Sequence, residues 1–457
     1  MTESGRTNAD GGSEGGEVFP LSLEQESFFG PYPVADPVIA QTHRISGPLS
    51  RAHLDAAITE LLRRHEALRF RIAHRGDETV QYFVDPAAYA IRVSETDHER
   101  LWASVADAHA EPLDLTVHGP IRFHLLRISD DEHFLTTTAH PASVDAWGIG
   151  LVGRELWKLY ECIRADRELP APPSSFREHV LRQRAAGTEP TETRRSKQTR
   201  RIAALKHLAL PDPTAARDAR LHWHERFRIS EEDLAELSAA ARGMRITVAA
   251  AFLAAFELAL AITGDTDHGG LSCIYAGRDS PESGSMAAAT ARRVPIEFVL
   301  EPDEPVLDFV RRAMREWAVA ISDSRPPYSA ARMLRALGGP LTTIEPVFNF
   351  RVFQGSSTSE PSDESAQPSP HAVEVEHAHE PTPRPIPMWS QFGTAALFAV
   401  VTQSAGASIS AIYDPEAVSE PLVGELFTIY ERVLGALRSR ESDVTVGQIR
   451  RALKSAA

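Results

Sequence analysis

His140-Pro141-Ala142-Ser143-Val144-Asp145-Ala146-Trp147 is a short unpatterned stretch between two strongly patterned segments, and its flanks decide how the chain folds. Before it, residues 123–128 and 134–138 are rich in β-formers and are separated by Ser129-Asp130-Asp131-Glu132. That pattern predicts two antiparallel strands joined by a turn. After it, Ile149, Val152, Leu156, Leu159, Tyr160 and Ile163 keep a 3.6-residue period, which predicts an amphipathic helix. Residues 140–147 therefore form a strand-to-helix loop. Loops held by rigid elements at both ends are common seats of chemistry.

Toward the N-terminus, Leu54, Ala57, Ile58, Leu61 and Leu62 recur at helical spacing behind Ser50, a good N-cap. Residues 1–17 are rich in Gly, Ser and acid, have no secretory apolar run, and read as a disordered tail. Toward the C-terminus, residues 186–220 turn polar and basic, with Arg194, Arg195, Lys197, Arg200, Arg201 and Lys206 ahead of Pro211-Asp212-Pro213. This stretch is expected to link two halves, 18–185 and 221–457. The second half opens at Ser230-Glu231-Glu232-Asp233, a capping pattern, and a longer helix follows from Thr247 to Gly264-Asp265. Strands are expected at 271–276, 347–353, 395–401 and 407–413, then a helix from Pro421 to Leu434. Residues 355–387 are rich in Ser, Pro and Glu and are expected to be a mobile insertion. The three histidines there, His371, His377 and His379, are read as solvated rather than metal-binding. The whole reads as a mixed α/β (α+β) protein without a short repeat.

At 457 residues and 42% hydrophobic content, the chain can bury a substantial core. A formal charge of −15 argues against nucleic acid, whose phosphates are bound by clustered Lys and Arg. The two cysteines, Cys162 and Cys273, form no CxxC or His/Cys cluster, so neither a disulfide framework nor a metal site is expected, and reduced cytoplasm fits. The apolar run 248–262 is interrupted by Glu257 and is too short to span a bilayer, so no membrane partner is expected.

Several strings, taken in order, resemble the condensation-domain family of nonribosomal peptide synthetases. Pro20-Leu21-Ser22-Leu23-Glu24-Gln25 is similar to the opening motif, and Arg64-His65-Glu66-Ala67-Leu68-Arg69 matches RHExLR throughout. The loop 140–147 falls where the family has HHxxxDGW. Ser175-Phe176-Arg177-Glu178-His179 is a weaker match, Ala276-Gly277-Arg278 fits the GR motif, Val347-Phe348-Asn349-Phe350 the FNF strand, and Tyr413-Asp414 the closing segment. The resemblance implies two chloramphenicol-acetyltransferase-like subdomains forming a V around a central tunnel. It also implies a peptidyl or acyl carrier protein acting in trans, and no cofactor beyond the phosphopantetheine arm that the carrier delivers.

Within that resemblance the active-site loop is degenerate. The family's second histidine, which handles the proton of the attacking amine, is Pro141, and proline has neither an acid–base group nor an N–H. His140 aligns with the mainly structural first histidine and is kept as a tentative catalytic residue. Ser143 lacks a GxSxG elbow and reads as a packing residue. Asp145 is expected in a structural ion pair, with Arg69 first and Arg278 second. Ala146 replaces glycine and predicts a reshaped loop. Trp147 is expected to pack in the core, and Asn349 to line the tunnel.

Three functions are open at this point. The leading one is amide or ester formation between a carrier-bound acyl group and an amine or alcohol by substrate positioning. The alternative is a catalytically inactive module that binds a carrier protein and recruits or gates a partner enzyme; the basic run 194–206 reads equally as a landing site for an acidic carrier protein or as a solvated helix face. The third is cyclisation or rearrangement of a bound intermediate.

Overall fold

The computed structural model describes residues 17–29, 38–76, 78–187, 190–208, 220–325, 338, 344–352, 373–378, 386–387, 396–438 and 444–454. The first half runs β1 (Phe19–Pro20), β2 (Ile39–Ser46), α1 (Arg51–Arg64), β3 (Phe70–Arg75), β4 (Glu78–Phe83), β5 (Arg92–Glu95), α2 (Leu101–Ala110), β6 (Ile121–Arg127), β7 (Glu132–Ala139), α3 (Ala146–Arg164) and α4 (Phe176–Ala185). Ser50 caps α1, its side chain accepting from the His53 N–H. β6 and β7 pair antiparallel across the expected turn. The sheet order is β2-β7-β6-β5, with one further strand outside β2. Leu54, Leu61, Ile149, Val152 and Leu156 of α1 and α3 pack on Ile45, Phe123 and Leu135 of that sheet. These are the residues whose helical period marks the two helices in the sequence.

α5 (Glu192–Ala204) leads into the second half: β8 (Arg220–Ile229), α6 (Glu231–Gly243), α7 (Val248–Thr263), β9 (His268–Tyr275), α8 (Pro281–Ser285), β10 (Arg292–Val299), α9 (Val306–Asp323), β11 (Glu345–Val352), β12 (Glu374–Ala378), β13 (Ile386–Pro387), β14 (Ala396–Gln403), β15 (Ala407–Tyr413), α10 (Glu420–Arg438) and α11 (Val446–Lys454). Its sheet runs β10-β9-β11-β14-β15-β8-β13, with β11 parallel to both neighbours. Ser230 and Thr247 cap α6 and α7 as their sequence patterns predict. Every residue of α7 from Ala250 to Ile262 is buried, Glu257 included, which explains why this segment is apolar on every face but for that one carboxyl group. Among the described residues no single helix is long and apolar enough to cross a membrane.

Two expectations about organisation fail. The stretch 186–220 is not a plain linker, because α5 packs on the second sheet with Ile202, Ala204 and Leu205 buried. Its basic run is mostly committed: Arg201 is buried and bonded to Asp323 at 2.9 Å, and Arg200 reaches Glu297 at 2.6 Å. The supposed insertion is also not loose throughout, because Glu374–Ala378 is the strand outside β2 in the first half's sheet, in register from Glu374 opposite Ser46 to Ala378 opposite Thr42. Val375 packs against the first core, and that apolar position is the signal the Pro/Glu-rich composition masked. The tail before residue 17, Pro211-Asp212-Pro213, His371 and His379 lie outside the described residues.

Candidate active-site loop at the junction of the halves

RHExLR is a structural hub. Arg64 is buried and donates to the Pro170 carbonyl. His65 donates from Nε2 to Glu155 at 2.7 Å, while its Nδ1 accepts the N–H of Ala287 in the second half at 3.2 Å. Glu66 accepts from the Ser175 hydroxyl at 2.8 Å and the Arg177 N–H at 3.0 Å, which fixes the start of α4. The Ala67 carbonyl accepts the Ser143 hydroxyl at 2.8 Å and so pins the active-site loop. Ser143 is wholly buried and already bonded, as its reading as a packing residue requires.

The loop itself is a compact turn. The His140 N–H donates to the Pro120 carbonyl, and the Ser143 and Val144 N–H groups point back to the His140 carbonyl at 2.8 and 3.4 Å. Pro141 occupies the second position of this turn, where a fixed φ suits proline and no N–H is needed. Proline at this position thus fits the turn and carries no imidazole. Ala146 is the first residue of α3 and is helical, so it needs no positive φ.

His140 is 8% exposed and lies against the rings of Phe28 and Phe29, with centroids 6.0 and 6.5 Å away. Its Nδ1 accepts the Ala142 N–H at 3.0 Å, so the neutral ring carries its proton on Nε2. Burial lowers its pKa to about 4. At neutral pH this group is an uncharged donor whose one lone pair is taken, which makes it a poor proton acceptor.

Asp145 is the junction between the halves, but its partner is Arg278 and not Arg69. Oδ1 accepts from the Gly148 N–H at 2.7 Å, capping α3, and from Arg278 Nη2 at 2.9 Å. Oδ2 accepts from Arg278 Nη2 at 3.1 Å and from the N–H groups of Thr290 and Ala291 at 3.0 and 2.9 Å. Arg278 also donates to the carbonyls of Ser283, Met286 and Ala288. Arg69 instead turns to the β3–β4 ribbon, where it donates to the Val84 carbonyl and lies over the Phe83 ring. Gly277, in the GR motif, has φ +69, and a Cβ there would meet the Thr290 carbonyl oxygen at 2.2 Å. The backbone donors at 290 and 291 carry no side-chain signature and could not be read from sequence.

Trp147 is 52% exposed, contrary to its expected place in the core. It lies two residues before Ile149, about 200° round the helix from the buried face; Trp157 is the buried tryptophan of α3. Asn349 is half-buried on β11 opposite Val400, alternating with Phe348 and Phe350, which join the second core. The structure does not bring Asn349 into hydrogen-bonding contact with the loop. Among the described residues, no cluster of three or more His, Cys, Asp or Glu is placed to hold a metal ion.

Two chloramphenicol-acetyltransferase-like α/β halves, joined where a strand-to-helix loop meets a glycine-arginine turn, define a two-lobed scaffold. The family model described as "Condensation domain" matches residues 38–382, and the chain belongs to the condensation-domain family of nonribosomal peptide and polyketide biosynthesis. The nonribosomal peptide synthetase agiA of Aspergillus flavus is 31% identical over 143 residues, which are 30% of this chain and 2% of that protein. Chondramide synthase cmdD of Chondromyces crocatus is 27% identical over 225 residues, 48% of this chain and 6% of that protein. The chain thus matches only a small fraction of the length of these curated relatives. The X-domain from teicoplanin biosynthesis has the same fold, with a TM-score of 0.73 at 18% identity, covering 96% of this chain and 98% of that one. That X-domain is also known in complex with OxyB.

Proposed function

We propose that this protein holds a carrier-bound acyl thioester and an amine or alcohol acceptor together, and promotes amide or ester formation by positioning. The observation that carries this reading is the intact frame around an altered loop. Asp145 accepts six hydrogen bonds from α3 and the second half, although the loop lacks the family's imidazole. A thioester is already activated, and fixing two reactants in a near-attack geometry supplies much of a rate enhancement. The phosphopantetheine arm would be delivered by a peptidyl or acyl carrier protein, and the protein's own contribution would be shape. Absence of the histidine then costs about 100- to 10,000-fold, the usual worth of a general base.

Reconstitution with acyl carrier proteins from the same gene neighbourhood, free amines and alcohols, followed by mass spectrometry, tests this. A product from at least one pair is expected; no product from any pair overturns it. The third reading, cyclisation or rearrangement, would show in the same spectra as a bound product formed without an acceptor.

A second reading is favoured by the engaged lone pair of His140 and by the X-domain's complex with OxyB: a catalytically inactive module that binds a carrier protein and recruits a partner enzyme. It expects co-purification with such a partner and no turnover. Turnover abolished by substitutions in the loop would sink it.

A further inference from the structure

Where the halves meet, a cavity of about 400 Å³ is lined by Glu24, His179 and Arg194 on one side and Asp279, Arg292 and Arg325 on the other. No residue of the loop 140–147 lines it. Arg292 is the unusual member. Its side chain is 10% exposed, its Nε donates to the Ser324 hydroxyl at 3.3 Å, and its guanidinium lies over the Tyr275 ring. Nη2 is buried and has no hydrogen-bond partner among the described residues.

Neighbouring carboxylates do not fill the gap. Glu24 is 3.7 Å from Nη1 and Asp279 is 3.8 Å from Nη2, both beyond hydrogen-bond range. Each is already served elsewhere: Glu24 accepts from Gln183 at 2.8 Å, and Asp279 accepts from the Tyr275 hydroxyl and from Arg325 at 2.5 Å. Arg194 donates to the Arg325 carbonyl at 3.0 Å, which holds a second exposed guanidinium at the rim. Burial keeps His179 below the usual imidazole range, so the positive charge comes from the arginines. Three guanidinium groups face two carboxylates, leaving one unmatched charge and one unmatched buried donor.

A water molecule would satisfy the donor but not the charge; an anion satisfies both. We propose that this cavity binds a small oxyanion, a carboxylate or a phosphate group, with Arg292 as its principal donor and Arg194 and Arg325 at its mouth. The planar fork of arginine suits both anions. The site touches the loop 140–147 only through Thr290, which lines the cavity and donates to Asp145, and its argument does not depend on whether the protein catalyses acyl transfer.

Titration calorimetry and thermal unfolding of the full chain with inorganic phosphate and with succinate, at ionic strength held constant with sodium chloride, provide the test. Saturable binding of at least one anion is expected, weakened tenfold or more in Arg292→Gln. Because Arg292 is buried, the double variant Arg194→Gln/Arg325→Gln at exposed positions serves as the second arm and is also expected to bind more weakly. Phosphate alone binding assigns a phosphate ester, succinate alone assigns a carboxylate, and both binding assigns a site for either group. Neither anion binding beyond the chloride control, or unchanged affinity in both variants, overturns the proposal.

Discussion

At the scale of the residue, Asp145 and His140 show how a motif can persist after its chemistry has gone. Asp145→Asn would leave Arg278 buried beside a neutral amide and is expected to cost about 3–5 kcal/mol, measured by urea unfolding. Arg69→Ala loses one carbonyl hydrogen bond and a ring contact and is expected to cost nearer 1 kcal/mol. Had Arg69 been the partner, the two losses would match. His140 leaves its own signature in pH. Its folded pKa of about 4 lies below the ordinary 6.5, so the unfolded chain binds more protons between those values. The stability this residue contributes is therefore fully present above pH 6.5 and is lost as pH falls toward 4, about 3 kcal/mol in all. His140→Phe is expected to flatten that part of the acid limb of a stability–pH profile while leaving turnover unaltered; a large fall in turnover would restore His140 as a catalytic residue. The loop's place, and the absence of its base, were legible in the sequence as Pro141. The partner of Asp145 was legible only as the second of two candidates, because pairing across 133 residues of chain depends on how the halves meet.

At the scale of the element, hydrophobic period located the helices and strands that carry the site, and failed where tertiary contact overrides composition. α5 looked like a solvated basic stretch because its apolar stripe is thin. β12 looked like a loop because five residues pairing with an existing sheet edge need little apolar content of their own. Against that edge lies the pair of His43 and His377, ring centroids 5.5 Å apart, and burial with the nearby His377 lowers the His43 pKa to about 4. Gly153 of α3 makes room for them: a Cβ there would come within 2.8 Å of His43 Cε1 and 2.9 Å of Gln41 Nε2. Gly153→Ala is expected to destabilise the protein by about 1–3 kcal/mol through overpacking. Gly424→Ala, in α10 with nothing within 4 Å of the new methyl group, is expected to stabilise it by up to about 1 kcal/mol. Differential scanning calorimetry of the two variants gives opposite signs if this packing is right.

At the scale of the whole molecule, the ties between the halves among the described residues include the Asp145–Arg278 pair, the His65 bond to the Ala287 N–H, and the strand β12. Val375→Asp would place a charge in the first core and detach β12 from β2. The radius of gyration by small-angle X-ray scattering is expected to rise as the halves separate, and an unchanged radius would mean that the other ties suffice. The exposed pair Arg44–Glu376 contributes much less, and Glu376→Gln is expected to change stability by under about 1 kcal/mol.

The position of β12 also bears on the order in which the protein is made. β2 leaves the ribosome long before the strand that covers its outer edge, which begins only at Glu374. At about 5–20 residues per second, that edge stays bare for tens of seconds of synthesis. An uncovered strand edge is a template for pairing with other chains. A truncated product ending between the two cores would keep that edge bare permanently.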